Sequence, residues 1–281
     1  MSTAVVLAVV AALAYGASDF VGGLFARGVS AWKIALTGQV GGAAAVAMLA
    51  GTIAPGAPTP TDFAWAALGG VGGAAGSAFL YRGLAGGRMG LVAPVSAVGA
   101  ALLPLAVGIL TGDRPPAIVW FGVLVAFPGI WLVSRSADRG ARRPQDLAAI
   151  GDGVLAGLGF GVLFVGVGQV PDTAGAWPLT VQSLVGAVAT VVIALALRQP
   201  WLPRVRRDWG GVPAGIVGGL GTASFLAATQ HGSLSVTGVL ASTYPVFTVG
   251  LAALVLRERV RHGQAAGIAL CLTSVALVAV G

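Results

Sequence analysis

Apolar residues in this chain arrive in about ten runs, each close to the roughly 20 residues that a helix needs to cross a bilayer's hydrocarbon. They fall near 3–25, 33–50, 63–83, 90–110, 117–134, 150–170, 175–197, 210–229, 235–256 and 264–281. Turn chemistry separates them: Pro55-Gly56 with Pro58, Gly86-Gly87, Gly112-Asp113-Arg114-Pro115-Pro116, Gln199-Pro200 and His231-Gly232. The longest polar link, Arg135 to Asp146, leaves no room for a soluble domain. Charged residues are 9% of the 281, against about 25% in ordinary soluble domains. A soluble fold of this size could not cover its surface with so few. Hydrophobic residues reach 57% and mean hydropathy is +0.92, the reverse of a disordered chain. The 45 glycines show no three-residue period, which excludes collagen. The expected fold is an all-α membrane protein of ten transmembrane helices.

A net charge of +7 could suggest nucleic acid, but the cations sit between the apolar runs, where the positive-inside rule explains them. The first run has no basic residue before it and no convincing cleavage site, so it is expected to be a retained first helix. The lone Cys271 excludes an internal disulfide and supports no thiolate metal site. Lys33 is the single lysine; the arginine bias carries no functional message.

Slid over itself by about 145 residues, the chain aligns without a gap. Ala31-Trp32 meets Ala176-Trp177, and Tyr15-Gly16 meets Phe160-Gly161. Gly70, Gly73, Gly76 and Ala78 meet Gly215, Gly218, Gly221 and Ala223. Asp113-Arg114 meets Glu258-Arg259, and Gly122 meets Gly267. Glycine matches are cheap in such a composition; Trp on Trp and acid-Arg on acid-Arg are not. Two repeats are expected, residues 1–140 and 141–281, each with five spans. Five is odd, so the second copy enters the membrane upside down.

The charges agree. The first half carries Arg27 and Lys33 in loop 1–2 and Arg82 and Arg88 in loop 3–4. The second half moves its cations to loop 7–8 (Arg198, Arg204, Arg206, Arg207) and loop 9–10 (Arg257, Arg259, Arg261). Loop 5–6 adds Arg135, Arg139, Arg142 and Arg143; Arg114 alone lies on the other side. The basic side is expected to be cytoplasmic, with both termini outside a bacterial plasma membrane.

The chain resembles the EamA-type carriers of the drug/metabolite transporter superfamily. Tyr15-Gly16-Ala17-Ser18-Asp19-Phe20 is similar to that family's first-helix segment. Leu80-Tyr81-Arg82-Gly83-Leu84-Ala85 followed by Val92-Ala93-Pro94-Val95-Ser96 resembles its helix 3–4 junction. Ala241-Ser242-Thr243-Tyr244-Pro245 and Leu256-Arg257-Glu258-Arg259 resemble its ninth helix and the link after it. One departure is that Ala100 stands where the second repeat has Pro245, with Pro94 and Pro104 nearby, so the two helices need not share a geometry. The resemblance implies a secondary carrier for a small organic metabolite or drug-like solute, often exported. It implies no cofactor, and a cavity between helices 1, 3, 4, 6, 8 and 9.

Asp19 is the sharpest residue: an ionisable group about two turns inside the first helix costs at least about 2.5 kcal/mol in lipid. It should face a cavity or a partner. Tyr15 lies one turn earlier on the same face. The functional reading is a proton or substrate-amine site; the bland one is an interfacial Asp that reaches water or pairs with an arginine. Arg82 could pair with Asp19, hold an anionic group, or snorkel to headgroups. Asp113 and Glu258 suit structural caps, Asp113 before Arg114-Pro115 at the start of the fifth helix.

Gln39, Gln169, Gln182, Ser183, Ser224, Thr229, Gln230, Ser242 and Thr243 are polar residues within spans, suited to a solute path or to interhelical hydrogen bonds. Tyr81, Phe160, Phe225 and Tyr244 could line an aromatic cavity, and Phe164 is the repeat equivalent of Asp19. Trp32, Trp65, Trp177 and Trp209 stand at span ends and read as interface anchors. The run Gly69-Gly70-Val71-Gly72-Gly73-Ala74-Ala75-Gly76 lacks the flanking strand and acid of a nucleotide loop and reads as helix packing. His231 and His262 form no metal motif, and no catalytic constellation is visible. The partners expected are a small solute, possible protons and membrane lipid. Facilitated uptake, a channel or a structural protein are the alternatives.

Overall fold

The computed structural model describes residues 2–52, 56–85, 89–134, 144–255 and 262–280. Among these residues the fold is helical, with no strand. The first half holds α1 (Thr3–Ala26), α2 (Ala31–Thr52), α3 (Pro60–Ala85), α4 (Met89–Leu110) and α5 (Ala117–Ser134). The second holds α6 (Pro144–Gly168), α7 (Trp177–Ala196), α8 (Gly211–His231), α9 (Leu234–Ala241), α10 (Tyr244–Val255) and α11 (His262–Val280). Seven helical stretches are long and apolar enough to cross a membrane, α9 and α10 together forming one. Three shorter apolar helices, in α4, α5 and α11, accompany them. Of the link residues singled out from sequence, Pro55, Gly86, Gly87, Arg88, Arg135, Arg139, Arg142, Arg143, Arg257, Glu258, Arg259 and Arg261 lie outside the described residues.

Local chemistry explains the breaks. Ser2 caps α1, its hydroxyl accepting from Val5 N at 3.4 Å. Thr59 and Asp62 form a reciprocal capping box at α3: Asp62 Oδ2 accepts from Thr59 N at 2.7 Å, and Thr59 Oγ1 accepts from Asp62 N. The ninth apolar run is interrupted at Ser242-Thr243, where Pro245 cannot donate to Ala241 O and a new helix starts. Its counterpart α4, with Ala100 in place of that proline, runs unbroken. The two stretches differ here as their prolines imply.

Glycine lets these helices touch backbone to backbone. A methyl on Gly215 of α8 would collide with the carbonyl of Gly38 on α2, and one on Gly99 of α4 would stand 2.9 Å from Gly157 Cα on α6. The Gly72–Gly76 run packs on α6 through Gly159 and Phe160, as helix packing requires and as no phosphate loop would. The main contacts cross between halves: α1 with α8 and α10, α6 with α3 and α4, α2 with α7 and α8, α3 with α7, α4 with α9, and α5 with α11.

Links divide between two ends of the bundle. At one end the α1–α2 link meets the α7–α8 link: Ser30 Oγ donates to Pro200 O at 2.7 Å and Lys33 Nζ to Asp208 Oδ2 at 2.8 Å. At the same end Arg82, closing α3, pairs with Asp152 near the start of α6. At the opposite end Ala57 N donates to Thr173 O at 2.8 Å, joining the α2–α3 and α6–α7 links, and Asp113 reaches α9. This alternation is what helices crossing a membrane in turn would give.

Asp208 is a tether at the first end. Its carboxylate accepts from Arg204 N at 2.8 Å, from Lys33 Nζ and from Val205 N at 3.3 Å. The Arg204 amide, then the Lys33 ammonium, hold its acidity constant down at about 2. The folded value lies below the ordinary one near ~3.9, so the tether's stabilisation is complete above that pH and is lost as pH falls through about 2. Asp208→Asn is therefore expected to lower the melting temperature of purified protein by a constant amount between pH 8 and 5. A deficit that vanished near pH 6 would contradict this ionisation.

Candidate functional site: a cavity between two apolar clusters

A cavity opens between α1, α2, α3, α6, α7 and α8, its space amounting to about 580 Å³ with the open solvent at its mouth counted in. Along each helix its lining lies beside or between two apolar clusters. Toward the Lys33–Asp208 end are Ala26, Trp32, Ile34, Leu80, Leu84 and Val92. Toward the other end are Val46, Ala66, Phe164, Val167, Leu179 and Phe225. On α3, for example, lining residues Gly73, Ser77 and Tyr81 fall between Ala66 and Leu84.

Of the residues expected at the site, Tyr15, Ser18, Asp19, Tyr81 and Phe160 line this cavity. Tyr15 donates to Thr222 Oγ1 at 3.2 Å, and Ser18 to Ala214 O at 2.8 Å. Tyr81 lies flat against Gly22, where no side chain would fit. Asp19 is 7% exposed and, among the described residues, has no hydrogen-bond or ion-pair partner. It is also the sole charged side chain in the described lining.

The other candidates sit elsewhere. Phe164 and Phe225 stack on each other with ring centroids 4.6 Å apart, Phe164 also touching Tyr15 at 5.5 Å; both are sealed into the apolar cluster behind the cavity. Tyr244, at the start of α10, shares a 2.5 Å hydrogen bond with Ser96 and meets Phe160 edge-on at 6.3 Å. Ser242 closes α9 by donating to Gly238 O at 2.8 Å, because the chain turns there. Gln230 is half-buried near the end of α8, about two turns beyond the last lining residue of that helix. Helices 4 and 9, expected to line the cavity, pack behind it instead, while α2 and α7 bring Gly38, Gln39, Gly42, Gln182 and Ser183 to its wall.

Arg82 pairs with an acid other than Asp19, the partner considered for it. Its Nε donates to Asp152 Oδ1 at 2.9 Å, a second guanidinium nitrogen bonds the same oxygen, and the cation lies 4.6 Å over the Phe79 ring. Asp152, absent from the sequence candidates, is the better placed acid: it lies about two turns into α6, at the end of the bundle where α3 finishes. Among the described residues Asp19 is consequently left without an arginine. Asp113 also caps a different helix from the one expected. Its Oδ2 accepts from Ser235 N at 3.0 Å and Ser235 Oγ at 2.7 Å, holding the first turn of α9 rather than α5. Trp32, read as an interface anchor, is 2% exposed and packs edge-on against Phe79 at 5.7 Å; Trp177 and Trp209 are exposed.

Removing Arg82 leaves Asp152 buried and unpaired. A fully buried broken pair costs about 3–5 kcal/mol, but the arginine side chain is 41% exposed, so about 1–2 kcal/mol is expected for Arg82→Gln. Melting of the purified variant checks this; the double variant Arg82→Gln with Asp152→Asn should recover part of the loss.

Gln39 and Gln182 converge from α2 and α7: both amide nitrogens approach the open side of Gly73, at 3.7 and 3.5 Å from where its β-carbon would be. Neither side chain has a hydrogen-bond partner among the described residues. Ser77 and Thr222 complete the polar wall, each donating one turn back, to Gly73 O at 2.8 Å and to Gly218 O at 3.0 Å. Unsatisfied amides and a lone carboxyl around an open space can serve a solute, and no described group of three or more His, Cys, Asp or Glu side chains could hold a metal ion.

Residues 148–280 match the family model of EamA-like transporters. The chain carries an EamA-like transporter domain. Its second half is thus similar to a transporter family, as the sequence resemblance implied, in a chain with helices long and apolar enough to cross a membrane. No curated protein matches it. A solved structure described as "Crystal structure of protein" is similar over 99% of this chain and 98% of its own, at 21% identity and a TM-score of 0.72. That likeness speaks for the fold alone.

Proposed function

We propose that this EamA protein is a secondary carrier that moves a small organic solute by alternating access, with the cavity as its binding site. One observation carries the reading: a cavity holding Asp19, Gln39 and Gln182 stands between two apolar clusters, each read as a seal toward one end of the bundle. Opening one seal at a time exposes the same site to either side.

Two inverted five-helix repeats would supply that motion, and the lining supports them. Tyr15 and Phe160, Ser18 and Leu163, Gly38 and Ser183, Gly73 and Gly218, and Ser77 and Thr222 are pairs 145 positions apart, and all ten residues face the cavity. Contacts between helices follow the same exchange: α1 on α8 mirrors α6 on α3, and α2 on α8 mirrors α7 on α3. The basic loops favour a cytoplasmic location for the Lys33–Asp208 end and external termini. Export in exchange for protons is the direction we favour, with Asp19 as the group that changes partner.

The test is flux in proteoliposomes over a panel of amines, amino acids, sugars and cationic dyes. The carrier reading expects saturable flux for at least one class, altered by an imposed pH gradient. Flux that never saturates points to a channel, and none at all to a structural protein.

A further inference from the structure

The cavity's charge is one-sided. Asp19 contributes a carboxyl, Gln39 and Gln182 contribute neutral amides, Tyr15, Ser77, Ser183, Tyr81 and Thr222 contribute hydroxyls, and no cationic side chain joins them in the described lining. Two basic residues on the cavity's helices are already committed, Arg82 to Asp152 and Lys33 to Asp208. A carboxylate or phosphate on a solute would meet no counter-ion here, and would face Asp19 besides. A protonated amine would find in Asp19 a partner that the protein itself withholds.

Resting on the carrier reading above, we propose that the cavity selects a small organic monocation: an ammonium group at Asp19, an apolar or aromatic body against Tyr15, Phe160 and Tyr81, and no carboxylate. An uncharged polar substituent would reach Gln39 and Gln182. Burial decides the chemistry: an unpaired carboxylate in a low-dielectric site is costly, so either a proton or a cationic solute occupies it. The two compete. Among the described residues the titratable groups within electrostatic reach of Asp19 are tyrosines, Tyr15 on its own helix, Tyr81 on α3 and Tyr244 on α10, which are neutral as phenols and offer no rival cation.

The test is a charge series on one ring: phenethylamine, phenylalanine, phenylacetate and 2-phenylethanol, each titrated into the purified full-length protein by calorimetry. Phenethylamine is expected to bind at least about tenfold more tightly than the other three, a difference of about 1.4 kcal/mol. Its affinity should weaken as pH is lowered from 8 to 5. In Asp19→Asn the amine and the alcohol should bind alike. Should that variant not fold, the wild-type series and its pH dependence still decide. Tighter binding of phenylalanine or phenylacetate, equal binding of amine and alcohol by the wild type, or no binding by any member would overturn the assignment. Saturable flux of phenylalanine with no amine binding would end this assignment and leave the carrier reading standing. Amine binding without saturable flux of any solute would do the reverse.

Discussion

Asp19→Asn is expected to abolish the response of flux to a pH gradient, cutting gradient-driven transport at least about tenfold while leaving the protein folded. Asn keeps the size and most hydrogen-bonding capacity of the carboxyl but cannot ionise. Among the described residues Asp19 has no partner to lose, so the substitution breaks no described ion pair. The contrast with Asp152 is the point: there the acid secures Arg82, and its loss is a stability event. If Asp19 were merely structural, Asn would shift melting and leave coupling intact. Flux at several imposed pH gradients, with melting measured on the same preparation, separates the two; unchanged coupling in the Asn variant ends the role assigned to Asp19.

Gly73→Leu should be comparably severe, through volume rather than charge. A β-carbon at Gly73 would stand 3.5 Å from Gln182 Nε2, 3.6 Å from Leu163 Cδ1 and 3.7 Å from Gln39 Nε2, all ordinary contacts. Gly73→Ala should therefore fold and transport at a reduced rate. Leucine extends three further carbons into the space between the amides, and flux is expected to drop at least about tenfold with little change in melting. Gly215→Leu is the control for packing: its side chain would strike the Gly38 carbonyl, so loss of fold is expected there. Gly73→Leu protein that melts normally and transports at the wild-type rate would remove the cavity from the solute's path.

Much of this was legible because bilayer-spanning helices are read from composition alone. The ten apolar runs find helical counterparts in the structure, with the ninth broken at Ser242-Thr243. Asp19, Tyr15 and Tyr81 were legible because a charge or phenol within a span must face something other than lipid. Pairing was not: Arg82 could have served any nearby acid, and only the packing of α3 on α6 selects Asp152 over Asp19. The same holds for Asp113, whose neighbouring Arg-Pro suggested the helix after it, whereas the folded chain brings α9 closer. Gln39 and Gln182 stood out as polar but not as a pair, because their meeting over Gly73 depends on α2 and α7 both facing the cavity. Phe164 and Phe225 show the converse: aromatic character alone does not tell a seal from a wall.

The account's central claim is that this is a carrier whose one site opens in turn to each side, and solute counterflow tests it most directly. Vesicles containing the protein are loaded with an unlabelled solute that shows saturable flux in the panel, then diluted into a trace of the same solute, radiolabelled. Alternating access predicts a transient accumulation of label above its equilibrium level, faster than in unloaded vesicles and absent with Gly73→Leu. A monotonic approach to equilibrium at a rate indifferent to the internal solute would contradict it.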